Sequence, residues 1–132
     1  MSYSNNDWVQ AVAKLVELTS KEQIKWAPTE DFFEGATEKI ERALEATLNR
    51  KKYVVKRLQK QEWYDADPES YHWTGPYYAL DIYQVTPFKG ELVASAPAIP
   101  ILRDLFNKAD GMFAFQSGVL DDLLKPNSLE QS

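Results

Sequence analysis

A single histidine, three alternating acids and a cluster of aromatic rings crowd the stretch from Trp63 to Tyr78. His72 is the only imidazole in the chain, so histidine pairs and multi-histidine metal sites are excluded. A Ser-His-Asp arrangement would need His72 as its base, with Ser70 or Ser95 as nucleophile. Neither serine lies in the G-x-S-x-G turn that lifts a nucleophile out of a strand. His72 is therefore expected as an exposed or packed loop residue. Asp65, Asp67 and Glu69 alternate in "YDADPES", a spacing that can offer oxygens to a hard cation. A calcium loop starting at Asp65 would need Gly and Glu where Ser70 and Pro76 stand, which favours a solvated acidic loop and no metal. Asp121 and Asp122 fall near the start of a short helical segment, where carboxylates suit the helix dipole. The few glycines are scattered, and no Gly-rich phosphate loop occurs, so no catalytic residue and no cofactor is assigned.

Two groups of residues point to binding. Arg50, Lys51, Lys52, Lys56, Arg57 and Lys60 form a basic strip around Tyr53 with no acid between positions 50 and 60. Cations could meet phosphates there while Tyr53 stacks on a base. On a strand, however, Lys52, Val54, Lys56 and Leu58 face one way and Lys51, Tyr53, Val55 and Arg57 the other, which splits the charges between two surfaces. The second group is aromatic: Trp63, Tyr64, Tyr71, Trp73, Tyr77 and Tyr78. Such rings either fill a small core and staple a long loop, or anchor an interface. The core reading is preferred, with Tyr71 and Trp73 left exposed. The interaction candidates are then Trp63, Tyr64, Tyr71, His72 and Trp73.

Those residues need a scaffold. At 132 residues the chain has the size of one domain, 1–132, with 1–5 and 127–132 expected to fray. It has no cysteine, which removes disulfides, thiolate metal sites and thiol nucleophiles and fits a reducing cytoplasm. The first residues, "MSYSNNDW", lack the basic and apolar regions of a signal peptide, and no apolar run is long enough to span a bilayer. The net charge of −5, set against six cations at 50–60, leaves −11 on the rest of the chain. An acidic body of this kind does not favour general nucleic-acid or membrane affinity.

Asn5, Asn6 or Asp7 can cap a helix in which Trp8, Ala11, Val12, Leu15 and Leu18 recur on one side, ending near Thr19. "IKWAP" (24–28) suits a short edge strand, and 29–35 a loop. Residues 36–48 read both ways: Ile40, Leu44 and Leu48 have helical spacing, while Leu44, Ala46 and Leu48 also alternate as on a strand. "KKYVVKRLQ" is strand-like, and Asn49-Arg50 stands where a hairpin turn commonly carries Asn-Gly. "YYALDIYQV" (77–85) alternates with apolar residues on both sides, as in a central strand, and "ELVASA" completes a second hairpin after the turn at 86–90. Pro100 fits the first turn of a helix with Ile101, Leu102, Leu105, Phe106 and Ala109 on its apolar side, with Gly111 placed to end or bend it. "VLDDLL" makes a last helical turn before Pro126.

The succession "KLVELTSKEQIKW", "ATLNRKKYVVKRL", "YYALDIYQV", "IPILRDLFNKA" and "GVLDDLL" resembles a loose class of small uncharacterised bacterial and phage-borne proteins. These run helix, short strand with a Trp, hairpin, strands, then helices. The resemblance covers most of the chain and implies a strand for 36–48; it brings no activity. The expected fold is α+β: an antiparallel sheet of four or five strands flanked by an N-terminal helix and C-terminal helices. The expected function is a small non-enzymatic protein-interaction module, an inhibitor, immunity-type or accessory factor. Its partner is another protein, with a homodimer as a further option. The alternatives are a nucleic-acid accessory protein using Arg50, Lys51, Lys52, Tyr53, Lys56 and Arg57, and a small-molecule-binding domain around the loop 63–78 with His72, Asp65 and Asp67.

Overall fold

The first helix, α1 (Asn5–Ser20), is capped one residue before the expected candidates Asn5, Asn6 and Asp7. Ser4 is the cap: its hydroxyl accepts from the Asp7 amide at 3.1 Å, and the Asp7 carboxylate accepts from the Ser4 amide at 2.9 Å. This reciprocal box satisfies two orphan donors of the first turn. Val12, Leu15 and Thr19 form the buried side. Thr19 then fixes the connection: its hydroxyl donates to the Leu15 carbonyl at 2.7 Å and accepts from the Trp26 indole at 2.9 Å. Trp26 is thereby drawn into the core, which leaves only Ala27–Pro28 free to pair as strand β1, shorter than the expected 24–28.

In this computed structural model, residues 2–87 and 90–124 are described. The sheet is a five-stranded antiparallel meander in chain order, β1, β2 (Glu38–Leu48), β3 (Lys51–Tyr64), β4 (Asp67–Val85) and β5 (Gly90–Ser95). The segment open to either reading, 36–48, is therefore strand from Glu38. Leu44 and Ala46 point to the main core while Ala43 is buried on the other face, so both sides of this strand find cover, which a one-sided helix would not need. The turn after it is two residues long, with Asn49 and Arg50 at φ of 53° and 65°. That is the left-handed pair of a hairpin turn whose twist matches its strands. The helix α2 (Ile101–Gln116) continues past Gly111 and buries Leu102, Leu105, Phe106 and Ala109. A four-residue helix, α3 (Asp121–Leu124), ends the described chain; the expected fraying of 127–132 lies outside it.

The two faces of the sheet are covered differently. On one, α2 lies over β2, β3 and β4 and α1 packs against α2. Val12, Leu15, Leu44, Val55, Leu80, Leu102, Leu105 and Phe106 meet there. On the other, Ala43, Val54 and Leu58 are buried together with an ion pair, Lys56 to Asp81 at 2.8 Å. Lys56 also donates to the Phe33 carbonyl at 3.0 Å, and Ser95 donates to Asp81 at 2.8 Å. The 29–37 connection thus lies across this face. Its Glu34 carboxylate accepts from the Ile40 amide at 2.7 Å, occupying part of the β2 edge that the short β1 leaves open.

Candidate functional site

The tract from Trp63 to Tyr78 is not a loop. It is the far end of the β3–β4 hairpin, extended beyond the rest of the sheet. β2 pairs with β3 only as far as Glu38 opposite Lys60, and β5 reaches β4 only at Asp81 and beyond. From Gln61 to Trp73 the two strands therefore pair with each other alone, apart from a bond from the Gln61 amide to the Thr37 carbonyl at 2.9 Å. Two irregularities shape this arm. At its root, Gly75 and Pro76 together oppose Gln59, and a Cβ on Gly75 would come 3.0 Å from the Leu58 carbonyl, so the close approach needs glycine. At its tip, Tyr64 pairs with Asp67 while Trp63 pairs with Tyr71, so residues 68–70 bulge out. The Asp67 carboxylate organises that bulge by accepting from the Glu69 amide at 3.0 Å and the Ser70 hydroxyl at 2.7 Å. The Ser70 bond, then the Glu69 bond, holds this carboxyl below its ordinary 3.8.

Strand register sorts the arm's side chains onto two sides. Gln61, Trp63, Tyr71 and Trp73 share one, and Glu62, Tyr64 and His72 the other. On the first, Trp63 meets Tyr71 edge-on with centroids 4.9 Å apart, and Tyr71 meets Trp73 at 5.8 Å with planes at 89°. On the second, Tyr64 lies 4.8 Å from the His72 ring. The five interaction candidates are thus brought together, in a row of three and a pair. Tyr71 and Trp73 are exposed as expected, whereas the core role preferred for the remaining rings does not hold for Trp63 and Tyr64. Trp63 is 47% exposed, Tyr64 51%, Tyr71 44% and Trp73 37%, because no helix or third strand reaches this far. Only Tyr78 of the tract joins the core, against Phe106 at 5.6 Å.

His72 stands on this projecting arm, and neither serine is turned toward it: Ser70 donates to Asp67 and Ser95 to Asp81. Among the described residues no three of His, Asp and Glu gather as a metal set. No helix among them is long and apolar enough to cross a membrane.

The basic strip is divided as its alternation implies, and half of it is paired. Lys52 bridges Asp31, with Glu45 at 3.5 Å; Lys56 bridges Asp81; Arg57 bridges Glu41 at 2.9 Å. The bond to Asp31 raises the Lys52 pKa above its ordinary value. Tyr53 points to the core side of the sheet. Cations of this strand also lie over rings: Lys52 over Tyr83 at 5.3 Å, Arg57 over Phe106 at 5.1 Å and Lys60 over Tyr77 at 4.8 Å.

Two surfaces escaped sequence reasoning. A groove of about 700 Å³ runs between α1 and the sheet, lined by Tyr3, Trp8, Tyr53, Ile82 and Val93 among others. Its lining comes from elements far apart in the chain, and no local pattern announces it. At the other end, Phe115, Val119, Leu120, Leu123 and Leu124 are all more than half exposed. Their spacing reads as a helical core face, so exposure was not legible. No protein-family model, curated protein or solved structure matches the chain.

Proposed function

We propose that this chain is a non-enzymatic protein-interaction module, an inhibitor, immunity-type or accessory factor of the cytoplasm, with the arm of β3 and β4 as its docking element. The observation that carries the reading is the edge-to-face row of Trp63, Tyr71 and Trp73, held off the body and left 37–47% exposed. Trp and Tyr bury a large area at small entropy cost, which is why they dominate interface hot spots. A two-stranded hairpin with its rings already packed edge to edge is partly pre-ordered, so less freedom is lost on docking. The nucleic-acid alternative is less well supported, since Lys52, Lys56 and Arg57 are already engaged with acids. The small-molecule alternative around His72 loses its motive, because His72 lies on a projection rather than in a concavity.

The test is capture from a bacterial host lysate by the tagged chain, alongside Trp63→Ala/Tyr71→Ala and a control, Tyr3→Ala, away from the arm. Urea unfolding checks that each variant is folded. A partner held by the wild type and the control but lost with the arm variant is the expected result. A partner set indifferent to the arm rings would overturn the reading. Light scattering on the same samples tells whether a second copy is that partner.

A further inference from the structure

We infer that the arm docks onto a cationic segment of its partner, one that presents arginine or lysine side chains to the row of Trp63, Tyr71 and Trp73; this rests on the arm being the docking element. Charge gives the first argument. From Gln61 to Phe88 the sequence has no Lys or Arg, while Glu62, Asp65, Asp67 and Glu69 all fall on the arm. The arm thus carries four carboxylates and no fixed cation, in contrast to the basic strip that begins ten residues earlier on the same strand. Asp65, Asp67 and Glu69 lie at the tip beside Trp63 and Tyr71, and Glu62 lies on the opposite side of the strand. A border of one sign at the end of an aromatic row selects a partner of the opposite sign and repels its like.

Ring geometry gives the second argument. Planes at 61° and 89° leave ring faces open beside one another rather than building a flat platform. A flat platform would suit a nucleobase or a sugar, whereas a guanidinium or ammonium needs only one open face within about 6 Å of a centroid. The body of the molecule already uses this contact, with Lys52, Arg57 and Lys60 each over a ring at 4.8–5.3 Å. The arm repeats the rings without the cations, and the partner supplies them.

The experiment uses the full chain and two synthetic probes, an Arg-Gly octapeptide and a Glu-Gly octapeptide of the same length, with Trp fluorescence and the Trp63 and Trp73 indole NMR signals as readouts. The Arg-Gly peptide is expected to bind at low salt, shift both indole signals, and weaken as salt rises, while the Glu-Gly peptide does not bind. Asp65→Asn/Glu69→Gln leaves the Asp67 turn intact and should weaken Arg-Gly binding about fivefold, from two exposed charge contacts of modest size each. Trp63→Ala should weaken it comparably. No Arg-Gly binding at low salt, or binding unchanged in the charge variant, overturns the inference. The partner captured from lysate separates the two readings. If it needs Trp63 and Tyr71 but ignores the charge variant, the arm still docks and the cationic segment is wrong. If it needs neither, the arm is not the docking element.

Discussion

The base and the arm of the β3–β4 hairpin are one pair of strands in two different surroundings. At the base, Val54, Val55, Leu58 and Leu80 are 0–1% exposed, enclosed by β2, β5, the helices and the 29–37 connection. Past Lys60 the same strands keep their pairing and their β-forming residues, yet the large rings stay in water. Local propensity is alike in both stretches, so it does not decide burial. What decides it is whether another element arrives to cover the strand. Cohesion therefore concentrates at the base, where apolar area leaves water at roughly 25 cal/mol per Å². The arm leaves its large rings 37–51% exposed.

If this contrast holds, damage at the base must be costly and damage to the arm mild. The sharpest case is Asp81→Ala, which leaves Lys56 charged and enclosed with no carboxylate beside it. It should lower unfolding stability by about 3–5 kcal/mol, measured by urea denaturation. Asp81→Val with Lys56→Met should recover part of the loss, because an apolar pair needs no compensating charge. A single variant as stable as the wild type would show that water or another group reaches Lys56, and the base would not be the closed region described above.

Trp73→Ala is the matching change on the arm. It deletes one edge-to-face contact, to Tyr71 at 5.8 Å, at a site 37% exposed and open to water, so no closed cavity is left. Its expected cost is about 1 kcal/mol. A loss as large as that of Asp81→Ala would make the arm part of the folded core, and the distinction between the two regions would collapse.

The base also holds a correctable imperfection. Arg50 adopts φ of 65° in the β2–β3 turn, a region where a side chain is disfavoured and glycine is not. Arg50→Gly should stabilise the chain by about 0.5–1 kcal/mol, read as a higher urea midpoint with an unchanged slope. A loss instead would mean that the Arg50 side chain makes a contact worth more than the strain.

How much of this was legible follows from how local each signal is. The strand pair in 77–95 showed in the alternation of Tyr78, Leu80 and Ile82 with Ala79, Asp81 and Tyr83, because side-chain period is a property of the strand itself. Residues 38–48 were ambiguous because Ala, Glu and Leu favour helix locally, and only the cover on both faces of Ala43 and Leu44 settles the matter. The arm was misread as a loop for a related reason. Asp67, Pro68, Gly75 and Pro76 look like strand breakers, but Asp67 pairs with Tyr64 at the tip, Pro68 falls in the tip bulge and the last two in the root bulge, where extra residues are accommodated. The rings themselves were legible as a group. The exposure of Tyr71 and Trp73 agrees with expectation, but that of Trp63 and Tyr64 does not, since it depends on how far β2 and β5 extend.

The tip of the arm offers the finest test of its independence from the base. Asp67 holds the Glu69 amide and the Ser70 hydroxyl, and both bonds keep its carboxyl below the ordinary 3.8. A carboxyl depressed in the folded state adds stability that is present above the unfolded value and disappears as pH falls through the folded one. The loss window therefore lies below pH 3.8. An NMR titration should move the Glu69 and Ser70 signals in that window, while the amides of Val54 and Val55 at the base keep their positions over the same steps. Asp67→Asn should remove the part of that response carried by the bonds to Asp67, seen most plainly at Ser70, and leave the base unchanged. Were the Val54 and Val55 signals to move in step with Glu69, the tip and the base would be one cooperative unit, and the distinction between arm and base would not hold.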